Sequence, residues 1–456
     1  MKVIYNIFKH SPFTTHYSLI FILLLTIFTS CEDILDLEPA QSISNEIALG
    51  DDESVKQALA GAYDYLSVSS LFGGEIMRNA ELYAGEGEIL WVGTFTAPKE
   101  IFQRNILSTN TDVSGLWNNA YIVINACNAI LGALDVVNED DRNQVEGEAK
   151  FLRGLCYFEL TRSFGQQYET GGGNTQAGVP MVLTATTGFD ESSFVTRNTV
   201  EEGYAQAIAD LTSAESLMED ENDFYANSSV AAAILARVYL QMGDYANAGN
   251  AADRVINSGN YELLANIAEC FGQEENTDED VFAIQISEQD GTNAMNLYFA
   301  PTIYGGRGDI EIEAAHLALY DPSDIRLTLF EEIGGSTYTS KFNTEFGNLP
   351  VIRLAEMYLI RAECNERLGT SVGDDPLNDY NAVHTRAGLT AASDINVDDI
   401  LYERRLELAM EGFKIWDVKR LHGTVATMNY NDPKLIYPIP QGDLDVNPNL
   451  VQNPGY

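Results

Sequence analysis

The chain has 456 residues, 45% hydrophobic and 21% charged, too long for one minimal core and long enough for two or three average domains. Its 26 Lys and Arg stand against 68 Asp and Glu, a formal net charge of −42. A field of that sign repels nucleic acid and anionic lipid headgroups, so binding through a basic patch is excluded; neutral ligands, cations and proteins with positive patches remain.

The first thirty residues differ from the rest. Lys2 and Lys9 are their only Lys or Arg and they hold no acid. The apolar run from Leu19 to Phe28 would rise about 15 Å as a helix, half of a hydrocarbon core of about 30 Å. That suits a secretory signal over residues 1–30 better than a membrane span. Thr29 and Ser30 are small, and Cys31 follows at once, which resembles the lipobox of a bacterial lipoprotein. Phe28 stands where Leu is commoner. The resemblance implies that the Cys31 thiol is acylated, and two or three acyl chains at about 0.8 kcal/mol per buried CH₂ anchor firmly. Glu32 and Asp33 resemble the export signal of surface-exposed outer-membrane lipoproteins. Residues 31–50 read as a polar tether.

The segment DDESVKQALAGAYDYL then spaces Val55, Leu59, Ala62 and Leu66 as one helical face. Residues 71–112 are rich in Gly and aromatics without a helical period and read as a long loop region. Two helices follow, LWNNAYIVINACNAILGAL and VEGEAKFLRGLCYFELTRSFG; the second places Phe151, Leu155, Phe158 and Phe164 along one side, with Gly165 as its cap. ETGGGNTQAGVP is an open loop and EEGYAQAIADLTSAESLM is helical. Residues 228–260 match the tetratricopeptide pattern, a helix–turn–helix with Ala236 and Tyr239 on the first helix, Gly243 and Tyr245 at the turn, and Ala248 and Ala252 on the second. VIRLAEMYLIRAECNERLG repeats the first half of that motif, its second half delayed by TSVGDDPLND. Between the two, DEDVFAIQIS reads as a short strand. YERRLELAMEGFKIWDVKRL reads as one charged helix whose Arg404, Glu407 and Glu411 belong to a buried ion network. The prolines of the C-terminal segment exclude helix over most of its length.

Motifs for catalysis are missing. His316, His384 and His422 show no HExxH or other ligand spacing, no Cys/His pair stands at metal spacing, and there is no GxSxG elbow. No acidic run follows the calcium-loop pattern, so neither a metal nor a cofactor is implied. Arg307 to Asp309 spell RGD, which a Gly-rich loop produces by chance. Cys127, Cys156, Cys270 and Cys364 are even in number, which allows disulfides in an oxidising compartment, but three sit among apolar neighbours in helical patterns and isolated buried thiols are the favoured reading. Aromatics in loops are what stand out: Trp91 and Phe95 in the first long loop, Tyr298, Phe299 and Tyr304 in a second. An exposed ring covers the C–H face of a sugar while polar groups take its hydroxyls. Trp91 is the first choice as a stacking platform, then Tyr298 and Tyr304, with Arg78 and Asn79 as hydroxyl partners and Glu81 and Asn105 near them in sequence.

GEAKFLRGLCYFELTRSFG, VIRLAEMYLIRAECN, ERRLELAMEGFKIWDVKRL and YPIPQGDLDVNPNLVQNPGY, in this order, resemble the signatures of the SusD/RagB family. The resemblance spans Cys31 to Tyr456. It implies a mainly α fold of divergent tetratricopeptide-type hairpins with long loops and a few short strands. It also implies one domain over 51–456: an N-terminal signature region at about 51–220, the hairpin, and a C-terminal SusD/RagB region at about 280–456. The implied activity is non-enzymatic: a lipid-anchored surface protein of the outer membrane binds an oligosaccharide, less often a peptide, as lid of a SusC-like TonB-dependent transporter. A protein-interaction scaffold without ligand is a further alternative. The ligand regions of the family match residues 72–105 and 290–310 only regionally.

Overall fold

A computed structural model describes residues 49–456 apart from Phe189, so Cys31 and the tether as far as residue 48 lie outside the described residues. Asp51 starts the first helix, α1 (Asp52–Ser67), with a reciprocal cap: its carboxylate accepts the Ser54 N–H at 2.9 Å, and the Ser54 hydroxyl accepts the Asp51 N–H at 3.2 Å. Val55, Leu59, Ala62 and Leu66 are its buried face, as their spacing predicts.

The expected loop over 71–112 instead holds two helices and a strand: α2 (Glu75–Ala84), β1 (Ile89–Trp91) and α3 (Thr96–Phe102). Length and burial together explain the failure. Every residue of α2 from Ile76 to Ala84 is buried, including Arg78, Asn79 and Glu81. Ile76, Met77, Ala80, Tyr83 and Ala84 do recur at helical spacing, but ten residues between Gly74 and Gly85 are a short window, and the polar residues among them are buried too.

Next come α4 (Thr111–Leu131), α5 (Arg142–Phe164) and α6 (Val200–Leu217), with α5 packed against both others. In α5, 18 of 23 residues are buried, so its charges must find partners inside. Arg153 grips Asp210 at 2.9 and 2.7 Å, and Arg162 grips Glu159 at 2.9 and 2.5 Å while lying over the Trp416 ring. Gly165 ends α5 as expected, but in extended conformation (φ −103°) rather than left-handed.

Gly203 on α6 allows this packing, because a Cβ there would lie 2.4 Å from Oγ1 of the fully buried Thr161. Alanine normally favours a helix over glycine by about 0.5–1 kcal/mol. Overpacking reverses the sign, and Gly203→Ala is expected to cost about 1–3 kcal/mol. A thermal midpoint equal to or above that of the wild type would show that Thr161 can yield.

The hairpin of 228–260 is formed by α7 (Ser228–Met242) and α8 (Tyr245–Ser258), joined at Gly243 in the left-handed region (φ 73°). Ala236, Ala248 and Ala252 are fully buried where small residues let helices approach. The rest of the chain runs through β2 (Asp280–Ile284), α9 (Ala294–Phe299), β3 (Ile310–Ile312), α10 (Ala314–Leu317), β4 (Phe330–Ile333), β5 (Ser336–Thr339) and β6 (Leu349–Arg353). It continues through α11 (Leu354–Leu368), α12 (Pro376–Arg386), α13 (Val397–Glu407), α14 (Lys414–Arg420), β7 (Thr424–Val425), β8 (Met428–Asn429) and α15 (Gln441–Val446). The strands pair antiparallel in twos: β1 with β3, β2 with β6, β4 with β5 and β7 with β8. The DEDVFAIQIS strand is thus present as β2, and the fold is mainly helical with few short strands.

The helix expected across 402–421 is broken. Met410 (φ 68°) and Gly412 (φ 88°) turn the chain between α13 and α14. The Glu81 carboxylate on α2 fixes that turn by accepting the N–H groups of Gly412 (2.8 Å) and Phe413 (3.1 Å). The ion network itself is present, although Arg404 bonds Glu356 and Asp417 rather than Glu407. Cys127, Cys156, Cys270 and Cys364 are separate buried thiols, and burial pushes Cys127 up to about 12. No helix among the described residues is long and apolar enough to cross a membrane.

Candidate ligand-binding surface

The antiparallel pairing of β1 with β3 decides which rings face out. Ile89 pairs with Ile312, Leu90 with Glu311 and Trp91 with Ile310. Successive side chains point to opposite faces. Ile89 and Trp91 therefore turn inward and are buried, while Leu90 is exposed, as is Val92 just beyond the strand. Trp91 is only 7% exposed, so it is not the open platform expected for it.

Tyr298, on the short helix α9, is equally buried. Its ring lies 5.9 Å from that of Trp91 and 6.1 Å, edge-on, from that of Phe95. The Arg78 guanidinium sits 4.1 Å over the same ring. Arg78 is fully buried and bonds Asn79 Oδ1 at 3.0 and 2.9 Å as well as the Asp112 carboxylate. Burial keeps Arg78 and Asn79 inside the protein, Nη1 of Arg78 being left without a hydrogen-bond partner there, which corrects their expected role as direct partners of sugar hydroxyls. The structure does bring Trp91, Tyr298, Arg78 and Asn79 together, as a buried buttress.

The ring they support is Phe95, which precedes α3 and is 44% exposed. Arg307 lies 4.5 Å over it from the loop after α9, held by Asp309 at 2.8 Å and Thr94 at 3.3 Å. The RGD triplet is therefore folded onto itself, with Asp309 buried. Tyr304 is half-buried on a 3₁₀ turn, its hydroxyl donating to Glu331 at 3.3 Å; the charge of Glu331 raises the phenol pKa. Ile303 beside it is exposed, and so is Asn105, whereas Glu81 is buried and turned to the α13–α14 turn. Sequence reading noticed Phe95 without choosing it and set Arg307 aside. The usable signal was a pair of residues, an aromatic before a short helix and an arginine in a Gly-rich loop, each weak alone.

A braced ring with a cation over it can stack on an apolar face and hydrogen-bond its rim; it holds no nucleophile–base pair. Among the described residues no group of three or more His, Cys, Asp or Glu is arranged to hold a metal. A family model described as starch-binding and associating with the outer membrane matches residues 35–240, and a SusD family model matches residues 334–434. The chain belongs to the SusD/RagB family. A SusD-like protein P2 of Formosa agariphila is 26% identical over 96% of this chain and 99% of its own. The starch-binding protein SusD of Bacteroides thetaiotaomicron is 32% identical over 24% of this chain and 22% of its own. A crystal structure of a SusD superfamily protein from Bacteroides thetaiotaomicron, 26% identical, matches with a TM-score of 0.79 over 89% of this chain and 100% of that one. SusD/RagB proteins are binding proteins rather than catalysts, described as associating with the outer membrane.

Proposed function

We propose that this protein captures an oligosaccharide at the cell surface and hands it to a SusC-like TonB-dependent outer-membrane transporter, over which it closes as a lid. A lipid on Cys31 holds it to the outer membrane. The observation that carries the binding reading is the Phe95 ring, open on one side and braced by Tyr298 and Arg307. A ring already fixed loses little conformational freedom when a sugar stacks on it. Arg307, over the ring, takes a hydroxyl at the rim, and the half-buried Tyr304 is a further candidate for one. Trp91, Tyr298, Arg78 and Asn79 shape the site from below. The large negative charge suits a neutral glycan, which feels no net Coulomb repulsion.

Phe95→Ala is expected to weaken oligosaccharide binding by about 1–3 kcal/mol without hydrolysis by either protein. Glycan-array screening followed by calorimetry measures it, and an unchanged affinity removes Phe95 from the site. An array without hits beside binding of a peptide pool would redirect the reading to peptide capture. Mass spectrometry of the amino terminus tests the acyl group on Cys31, and co-purification with a β-barrel tests the transporter.

A further inference from the structure

A cleft of about 520 Å³ lies between the end of α2, the α13–α14 turn and β7, and none of Trp91, Phe95, Tyr298 or Tyr304 lines it. Cavities of about 300–1,000 Å³ accommodate small ligands. The walls are mostly aliphatic: Ile89, Leu408, Met410, Val418 and Val425, with Phe413 as a ring among them. Such walls suit a branched or aromatic side chain better than the hydroxyl-rich rim of a sugar.

The polar groups are of both signs. Lys414 (2.7 Å) and Arg405 converge on one oxygen of Glu88, and His316 meets the other at 3.0 Å. Burial works against the Glu88 carboxylate, but the His316 hydrogen bond and the charges of Lys414 and Arg405 outweigh it and hold Glu88 at about 2. Burial keeps His316 itself below its usual range, toward the neutral form. Lys414 also faces Glu81, so its charge is shared between two carboxylates, and Asp417, a further acid of the lining, is bonded by Arg404 and Arg420. Arg404 also lines the cleft, and its Nη1 is buried without a hydrogen-bond partner. On the other wall stands Glu81. One of its oxygens, Oε1, accepts the Gly412 and Phe413 N–H groups, and Oε2 has no donor among the described residues. Glu86 is engaged by Arg104, and Asp398 is at the exposed rim.

We propose that this cleft is a second ligand site, for a zwitterion with an apolar side chain, an amino acid or a short peptide. The ligand ammonium meets Oε2 of Glu81, its carboxylate meets the unpaired Nη1 of Arg404 with Lys414 and Arg405 on the same lining, and its side chain lies on the aliphatic wall. Buried donors left unpaired cost free energy, and a carboxylate is the acceptor a guanidinium matches best.

The test uses the full chain with the dipeptide Leu-Phe, its N-acetyl derivative and its C-terminal amide. Leu-Phe is expected to bind in calorimetry and to shift the methyl signals of Met410, Val418 and Val425. Blocking either end should weaken binding at least about tenfold, as should Lys414→Met, which keeps the apolar stem. No binding overturns the proposal, and so does equal affinity of the blocked peptides. Methyl shifts elsewhere, or undiminished affinity in a folded Lys414→Met protein, also overturn it.

Discussion

Arg353→Met is expected to cost about 3–5 kcal/mol of folding stability, because it leaves buried carboxylates short of a positive charge. Arg353 closes β6 and is 1% exposed. It contacts Glu279 at 2.6 Å, Glu407 at 3.1 Å and Glu411 at 2.9 Å, three acids that are themselves buried. Each acid has one or two other cations: Arg386 reaches Glu279 and Glu407, Arg326 reaches Glu407, and Lys341 reaches Glu411 at 2.6 Å. The network ties β6 to the strand start at Glu279, to α12 and to the α13–α14 turn. Methionine retains most of the apolar stem, so the loss reports charge more than packing. Urea midpoints of both proteins measure it, and a difference below about 1 kcal/mol would show that the remaining cations suffice. The network also predicts acid lability. Burial opposes the Glu407 carboxylate, but Arg386, Arg353 and Arg326 together depress it to about 2. A depressed carboxyl pKa gives stability that is present above the unfolded value near 4.5 and is lost as pH falls toward 2. In Arg353→Met that acid-dependent part should shrink.

The same network shows how far sequence carries. Arg404, Glu407 and Glu411 were legible as a buried charge group, since so many charges among apolar neighbours must pair. Their distant partners were not, because Arg353 arrives from the end of β6 and Glu356 from α11, and pairing across the chain leaves no local mark. The hairpin at Gly243 was legible for the opposite reason: its helices, caps and left-handed glycine are all local. Helix α2 escaped because its apolar spacing runs over only ten residues between Gly74 and Gly85, inside a Gly- and aromatic-rich stretch. The break at Met410 escaped because Glu, Leu, Ala and Met all favour helix, and the glycine after them is the single contrary sign. Trp91 and Phe95 looked alike in sequence. Only the β1–β3 register, formed with a remote segment, sends one ring inward and leaves the other open.

Glu81→Gln is expected to stabilise the protein above neutral pH by as much as about 3 kcal/mol, the worth of moving a carboxyl pKa from 4.5 to about 7. Burial raises Glu81, and the nearby Glu88 charge adds to it; Lys414 and the Gly412 and Phe413 N–H groups oppose the rise without cancelling it. A raised folded pKa gives stability that is complete below 4.5 and is lost as pH climbs through 7. Glutamine keeps an acceptor for the two backbone N–H groups but has no charge to desolvate, so the variant should lack this loss. Lys419 changes in a different window. Burial and the neighbouring Arg162 lower it from 10.5 to about 7, so its contribution is complete above 10.5 and is lost as pH falls toward 7. The two windows meet near pH 7 without overlapping. Urea midpoints of wild type and Glu81→Gln at pH 5 and pH 8.5 therefore isolate the carboxyl. The difference should be small at the lower pH and favour the variant at the higher one. Equal midpoints at both would mean that Glu81 ionises as readily folded as unfolded, with water reaching it through the cleft it lines.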